Sequence, residues 1–326
     1  MIRRQLLSGI LGVPLLGRFS TDKQLQCSCV PAEYDVRLFG ARGDGSTDDT
    51  ASIQAAFNAL PLQGGQIIFP SSSGAYCVTG LTLPARSGPI ELLGIGNVTL
   101  YSASAGNTLS LVFAEQYAQP IRIRGIEFRG DGIASNNGLL ARNLQHLVVM
   151  DCRFILHGGN GLDLQRCYAP RIIRSLFQAN AYGLSLGQSS ANNAVVRDSY
   201  LFSNRTAGVY VGAAHLNTLL QGCDLEGNHL GVEIVGNSAG PVAIKDSYFE
   251  GSELGAFAIG DPYLTNFVFD GNYVQGSSQT IQNVRMGRIC DNHFHDSVLS
   301  VGLNTSGLRL RGNSVTGTAS VPEEQG

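Results

Sequence analysis

The chain has 326 residues, 14% of them charged, and a net charge of −3. With only two lysines, Lys23 and Lys245, it has no basic field to draw nucleic acid. No apolar run reaches membrane-span length, and the 41 glycines suit a fold with many tight turns.

Arg3-Arg4-Gln5-Leu6-Leu7 precedes a short apolar run to Leu16. This pattern resembles a twin-arginine export signal and predicts a leader over 1–20, with a periplasmic or secreted destination and no membrane insertion in the mature form. Residues 21–33 lack periodicity and read as a linker. The cysteines are Cys27, Cys29, Cys77, Cys152, Cys167, Cys223 and Cys290. Most read as buried free thiols, which fits a route that exports proteins already folded in a reducing compartment. Cys27-x-Cys29 is too short and isolated for a metal site.

Tyr34 to Thr50 carries Phe39-Gly40-Ala41, Gly43-Asp44-Gly45 and Thr47-Asp48-Asp49-Thr50. A helix is predicted over Ala51 to Leu60, with Ile53, Phe57 and Leu60 on one face. Ser46 and Thr47 are its N-cap candidates, and Asp48 and Asp49 suit the positive end of its dipole. Gly64 to Pro70 is a strand ended by proline, and Tyr76 to Thr79 is another. From Leu81 to Gly130 the pattern is irregular, with strands at Ile90–Gly94 and Val98–Leu100 and clear alternation from Ile121 to Phe128.

Between Leu144 and Val315 an imperfect unit of about two dozen residues recurs. It centres on a small or amide residue: Cys152, Ser175, Ser199, Cys223, Ser247, Asn272, Asn292, Asn313. An apolar residue follows two positions later: Phe154, Phe177, Leu201, Leu225, Phe249, Val274, Phe294, Val315. One unit cannot bury its own apolar face, so units of this length stack. Alternation within each half is strand periodicity, and Gly, Asn and Ser separate the halves. The predicted fold is all-β: a single right-handed parallel β-helix with an N-terminal capping helix, spanning 34–318 and followed by a polar tail at 319–326. The column of small residues would be an internal ladder at a bend, and the apolar column would be core. A leucine-rich horseshoe would need a leucine and asparagine spacing that is missing.

The stretch from Tyr34 to about Leu83 resembles the start of the pectate-lyase-like β-helix superfamily. The likeness rests on the motifs quoted above, on Ile53-Gln54-Ala55-Ala56, and on Gly64-Gly65 through Phe69-Pro70. It implies that the helix caps the open end of the solenoid and that Asp44, Asp48 and Asp49 are structural. It also implies polysaccharide as the partner, with lyase, hydrolase, epimerase or phage-tailspike relatives. The superfamily's Asn-Thr-Asp, paired-Asp, Gly-His-Gly and Arg-Ile-Lys series is not found. Nor is the Asp-Pro-His-Glu motif, of which Asp261-Pro262-Tyr263 shares two residues, so no catalytic residue transfers by motif.

Stacking turns the search for a site into a count of outward columns. One reads Arg153, Leu176, Tyr200, Asp224, Tyr248, Tyr273, His293, Ser314. The next reads Ile155, Gln178, Phe202, Glu226, Glu250, Gln275, His295, Thr316. Glu226 and Glu250 fall on adjacent coils, about 5 Å apart, within the range of a retaining glycosidase pair. Two carboxylates that close raise one another's pKa. The predicted catalytic groove is Glu226, Glu250, Asp224, His293 and His295, with Tyr248 and Tyr273 as sugar-stacking platforms. From Asp224 to His295 these columns supply no arginine to neutralise a uronate carboxylate, which counts against lyase chemistry there. A further outward column, Asp163, Ser185, Tyr210, Glu233 and Phe257, reads as a binding stripe. Asp163 and Glu233 lie about 14 Å apart on it, too far for a two-carboxylate mechanism.

His293-x-His295 is insufficient for zinc, and calcium would enter only with lyase chemistry, so no cofactor is expected. A last column, Val148, Arg171, Val195, Leu219, Ala243, Val268, Arg288 and Arg309, is apolar yet outward, consistent with a homo-oligomer. The functional expectation is an exported carbohydrate-active protein that cleaves a polysaccharide on its outer face. The alternatives are a non-catalytic glycan- or protein-binding solenoid and a phage tail component.

Overall fold

The computed structural model describes residues 32–187, 192–212, 216–235, 241–260 and 263–322. The expected leader, Cys27, Cys29 and nearly all of the linker lie outside these. Among the described residues there is one α-helix, Thr50–Ala59, and the rest of the regular structure is strand apart from a 3-10 turn at Val36–Phe39. The strands form three long sheets of 13, 11 and 8 strands and a two-strand pair, Gln279–Ile281 with Leu299–Val301. Successive coils pair in parallel, each visiting the first, second and third sheet in turn, for example through Leu147–Met150, Arg153–Ile155 and Leu162–Gln165.

The predicted columns of the second sheet are the observed ones. Phe154, Phe177, Leu201, Leu225, Phe249, Val274, Phe294 and Val315 are in register along the second sheet. All but Val315 are buried. The rings of Phe128, Phe154 and Phe177 stack at 5.0 Å spacings. The small-residue column is a hydrogen-bonded ladder in which the serine and asparagine side chains accept from the backbone N–H one coil earlier: Ser175 Oγ from Cys152, Ser247 Oγ from Cys223, Asn292 Oδ1 from Asn272. The coil length is the sequence step along this ladder, 23 to 25 residues and then 20 to 21 from Asn272 onward.

The bends have a backbone cause. The residue before the ladder is left-handed in every coil from Gly125 onward, through Asp151, Arg174, Asp198, Gly222, Asp246, Gly271, Asp291 and Gly312. Asp and Gly tolerate that conformation, and Arg174 stands in it because the stack on either side fixes it. Gly125 also accounts for a correction: the alternating stretch from Ile121 to Phe128 is two strands, Ile121–Arg124 and Glu127–Arg129, on different sheets. Two long strands that periodicity did not reveal are Gly106–Tyr117, within the irregular region, and Asn136–Leu144, just after it.

At the N-terminal end the helix packs Ile53, Ala56 and Phe57 into the core. Neither Ser46 nor Thr47 caps it, because both donate to Asp44. The N-cap position is Asp49, whose buried carboxylate accepts from the backbone N–H groups of Arg42 and Gly43 and so ties the preceding loop. Asp48 accepts from the N–H and hydroxyl of Thr50. The first strand begins at Glu33, and a bridge between Val298 and Ser320 carries pairing past 318.

A second internal ladder, at the turn between the second and third sheets, was not read from the sequence. Asn180, Asn204 and Asn228 are buried in successive coils, each amide oxygen accepting from the N–H of the coil before. Ser252, Ser277 and Ser297 continue the column. His157 heads it: its N–H donates to Asn180 Oδ1, its ring Nε2 lies 3.1 Å from Phe128 O, and its Nδ1 has no partner. The charged groups near it are Asp131 and Arg205, whose guanidinium donates to the His157 carbonyl. Burial pulls the imidazole down to about 4 from its ordinary value of 6.5. The unfolded chain therefore takes up a proton below pH 6.5 that the folded chain refuses until pH 4. Stability is full above pH 6.5 and falls as pH drops toward 4, by about 3 kcal/mol. Urea titrations at pH 7 and pH 4 are expected to show this loss, and His157→Asn, which extends the amide ladder, is expected to remove that component.

The cysteines at Cys77, Cys152, Cys167, Cys223 and Cys290 are free. Burial pushes the thiols of Cys152 and Cys167 up to about 12 and that of Cys223 up to about 11, so these three are packing residues. The outward apolar column is in the predicted register, and Val148, Val195, Leu219 and Val268 are half-buried.

Candidate functional site

The second sheet brings the predicted catalytic residues together as counted. Asp224, Tyr248, Tyr273 and His293 are consecutive rungs of one outward column, and Glu226, Glu250, Gln275 and His295 of the next. They form a partnered network. Tyr248 Oη donates to Glu250 Oε2 at 2.5 Å, and Gln275 Nε2 donates to Glu250 Oε1 at 3.2 Å. The rings of Tyr248 and Tyr273 stack at 5.4 Å, and those of Tyr273 and His293 at 5.1 Å. Both imidazoles engage the Thr316 hydroxyl. The carboxyl held above its ordinary range is that of Asp224, first by burial and then by the charges of Glu226 and Glu250. The hydrogen bond to Glu250 pushes the Tyr248 phenol up to about 12.

The third sheet lines a cleft. Its outward column runs Asp163, Ser185, Tyr210, Glu233, Ala258. Phe257, expected on this column, is one residue out of register: it pairs with Val232 and is buried in the core. Gly255, with its left-handed φ, stands one place before Ala256, which is the residue that aligns with Gly231, so a count taken from the glycine slips by one. The strands are aligned by Gly161, Gly183, Gly208 and Gly231, where the next coil's backbone passes closely. A Cβ at Gly161 would stand 2.7 Å from Gly183 O.

Asp163, Gln165, Tyr182, Ser185, Tyr210 and Glu233 line a cleft of about 530 Å³. Asp163 is only 6% exposed. Its Oδ2 accepts from Gln165 Nε2 at 2.7 Å, while its Oδ1 is buried without a hydrogen-bond partner. Burial raises its pKa, opposed by Gln165, by the nearby Ser185 hydroxyl, by the charge of Arg142 and by Asn160. Burial and the nearby Glu233 push the Tyr182 phenol up to about 12. The Tyr182 and Tyr210 rings meet at 5.3 Å, tilted by 57°. Arg142, from the strand Asn136–Leu144, is exposed at the head of the cleft and donates from Nε to Gln165 Oε1 at 2.8 Å.

Arg142, Gln165 and Tyr182 were missed in the sequence. The long strand that carries Arg142 lies outside the regular repeat. The signal that would have found it is Gly138-Leu139, which continues the Gly-Leu column of Gly161-Leu162 and Gly183-Leu184 and sets Arg142 beside Gln165. Among the described residues no group of three or more histidine, cysteine or carboxylate side chains is placed to hold a metal ion.

Residues 91–223 match a family model described as the right-handed beta helix region. Over 77 residues the chain is 52% identical to alginate lyase 7 of Azotobacter vinelandii, a match that covers 24% of this chain and 8% of that protein. The chain thus spans less than a tenth of that relative's length. Among solved structures, the A-module of mannuronan C-5 epimerase AlgE6 of Azotobacter vinelandii aligns with a TM-score of 0.57 at 16% identity, over 89% of this chain and 100% of the module. ORF18 of Geobacillus virus E2 aligns with a TM-score of 0.58 at 17% identity, over 88% of this chain and 61% of that one. These likenesses show the fold, a right-handed parallel β-helix.

Proposed function

We propose that this chain is a carbohydrate-active protein that holds a polysaccharide in the cleft over the third sheet and cleaves it by β-elimination at a uronate. The observation that carries the reading is Asp163: a carboxylate nine-tenths buried, with one oxygen unpartnered, on the wall of a cleft that also holds Tyr182 and opens beside Arg142. The names of the relatives, a lyase of alginate and an epimerase of mannuronan, support a polysaccharide as substrate. Asp163 and Glu233 stand three rungs apart, about 14 Å, beyond any two-carboxylate hydrolysis.

In this scheme Arg142 and the Gln165 amide receive the uronate carboxylate and draw off its charge. Asp163, a stronger base than an ordinary aspartate, takes the proton from the carbon beside that carboxylate. The bond to the leaving glycosidic oxygen breaks as the double bond forms, and Tyr182, which keeps its proton up to about 12, donates it to that oxygen. Tyr210 offers a ring face to the sugar. Rate is lost as pH falls through the raised pKa of Asp163, so the acid limb of kcat/KM lies above the ordinary aspartate value of about 3.9. Tyr182→Phe is expected to lower kcat about a hundredfold, measured by the ultraviolet absorbance of unsaturated product ends.

The network on the second sheet supports a second reading, hydrolysis by Glu226 and Glu250 with Asp224, His293 and His295 assisting and Tyr248 and Tyr273 stacking on sugar. Its favouring observation is the 2.5 Å contact of Tyr248 with Glu250 beside the raised Asp224. The two readings separate on product: unsaturated ends for the first, reducing ends without unsaturation for the second.

A further inference from the structure

Two further clefts continue the first along the third sheet. Glu233 and Val235 line both the first cleft and a second, of about 410 Å³. Leu254, Ala258, Ile259 and Gln282 line both the second and a third, of about 580 Å³, which reaches Thr280 and Ser300. The Gln279 side chain bonds the N–H and carbonyl of Phe257, so the strand Gln279–Ile281 is the next rung after Phe257–Ile259, and Thr280 faces Ser300 with hydroxyls 3.0 Å apart. From Asp163 to Ser300 there are six rungs, about 29 Å of continuous groove.

The groove changes character along this length. At the Asp163 end it has Arg142, Asp163 and Glu233. In the middle, His229 Nδ1 lies 2.7 Å from Glu253 Oε2. At the far end the residues lining the third cleft include no ionisable side chain: serines, glutamines and Thr280 alternate with Ala258, Val298 and Leu254, the last 63% exposed. Hydroxyls and amides serve sugar hydroxyls, and the exposed leucine suits the apolar face of a pyranose. A carboxylate lying there would lose water without a counter-charge.

Resting on the reading that the Asp163 end is the reacting end, we infer that the groove takes a heteropolysaccharide lengthwise: an anionic unit at Arg142 and Asp163, followed by uncharged units along Ala258, Thr280 and Ser300. An extended pyranose advances by close to one rung, so on the order of six units are held.

The test measures Kd by calorimetry and kcat/KM side by side. The probes are homo-oligouronates, and fragments of bacterial exopolysaccharides with one uronate per repeat, each from two to eight units. Mixed fragments of six units are expected to bind at least tenfold tighter than homo-oligouronates of the same length, and to gain affinity with each unit up to about six. Thr280→Trp, a change at an exposed position that fills the far end, is expected to cut the six-unit to three-unit affinity ratio at least tenfold. Equal or tighter binding of homo-oligouronates, or a ratio that Thr280→Trp leaves intact in a folded protein, overturns the inference even if cleavage is observed. Length-dependent binding of mixed fragments without cleavage upholds the groove and removes the chemistry proposed for Asp163. No binding of any glycan overturns both.

Discussion

Asp163→Asn is expected to lower kcat/KM on the cleaved polysaccharide about a thousandfold while leaving the fold intact. The asparagine keeps the shape of the side chain and can still meet Gln165, but it has no basic oxygen to accept the substrate proton, and a positioned general base contributes about a hundred- to ten-thousandfold. Removing a buried charge whose Oδ1 has no partner also relieves a desolvation cost, so thermal stability is expected to hold or rise. The measurement is initial rate by product absorbance, with circular dichroism to confirm folding. The double variant Glu226→Gln/Glu250→Gln, assayed in parallel, decides between the two faces. If that variant loses the activity and Asp163→Asn keeps it, the chemistry belongs to the second sheet.

The largest structural effect is expected at the asparagine ladder. Asn204 accepts from the backbone N–H and side-chain amide of Asn180 and donates to Phe177 O and Asn228 Oδ1. Asn204→Ala leaves the Asn180 N–H unpaired and takes one donor from the Phe177 carbonyl inside the solenoid. The unpaired group costs about 1–3 kcal/mol, so with the cavity the total is about 3–5 kcal/mol by urea denaturation. Asn204→Ser is expected to cost roughly half as much, because a serine oxygen serves the preceding N–H at Ser277 and Ser297 in the same column. A loss below about 1 kcal/mol for Asn204→Ala would mean that the ladder follows the stack rather than holding it.

The fold was legible because stacking converts sequence position into space. Once Cys152, Ser175 and Ser199 were aligned, every residue two places on had to be core and every residue one or three places on had to face outward. The structure keeps both outward columns of the second sheet in that register. The third sheet was harder to read. Its turns vary in length, so a count carried from the second sheet slips, as it did at Phe257. Arg142 stood in a strand that the repeat did not reach, and the cation beside Asp163 was therefore invisible. The second ladder was hidden for another reason: an asparagine in a turn is ordinary, and only the stack shows that Asn180, Asn204 and Asn228 coincide. At the cap, Ser46 and Thr47 fit the helix-start pattern, but Asp44 took their hydroxyls and backbone N–H groups first.

The most direct test of the central claim is where a bound glycan lies. A photoreactive oligosaccharide derived from a polymer that the protein binds would be crosslinked and its attachment sites read by mass spectrometry. Attachment is expected on the outward residues of Leu162–Gln165, Tyr182–Leu186, Ala207–Val211 and Val232–Ile234. Attachment confined to Asp224–Glu226, Tyr248–Glu250 and Tyr273–Gln275 would contradict it and place the polysaccharide on the second sheet.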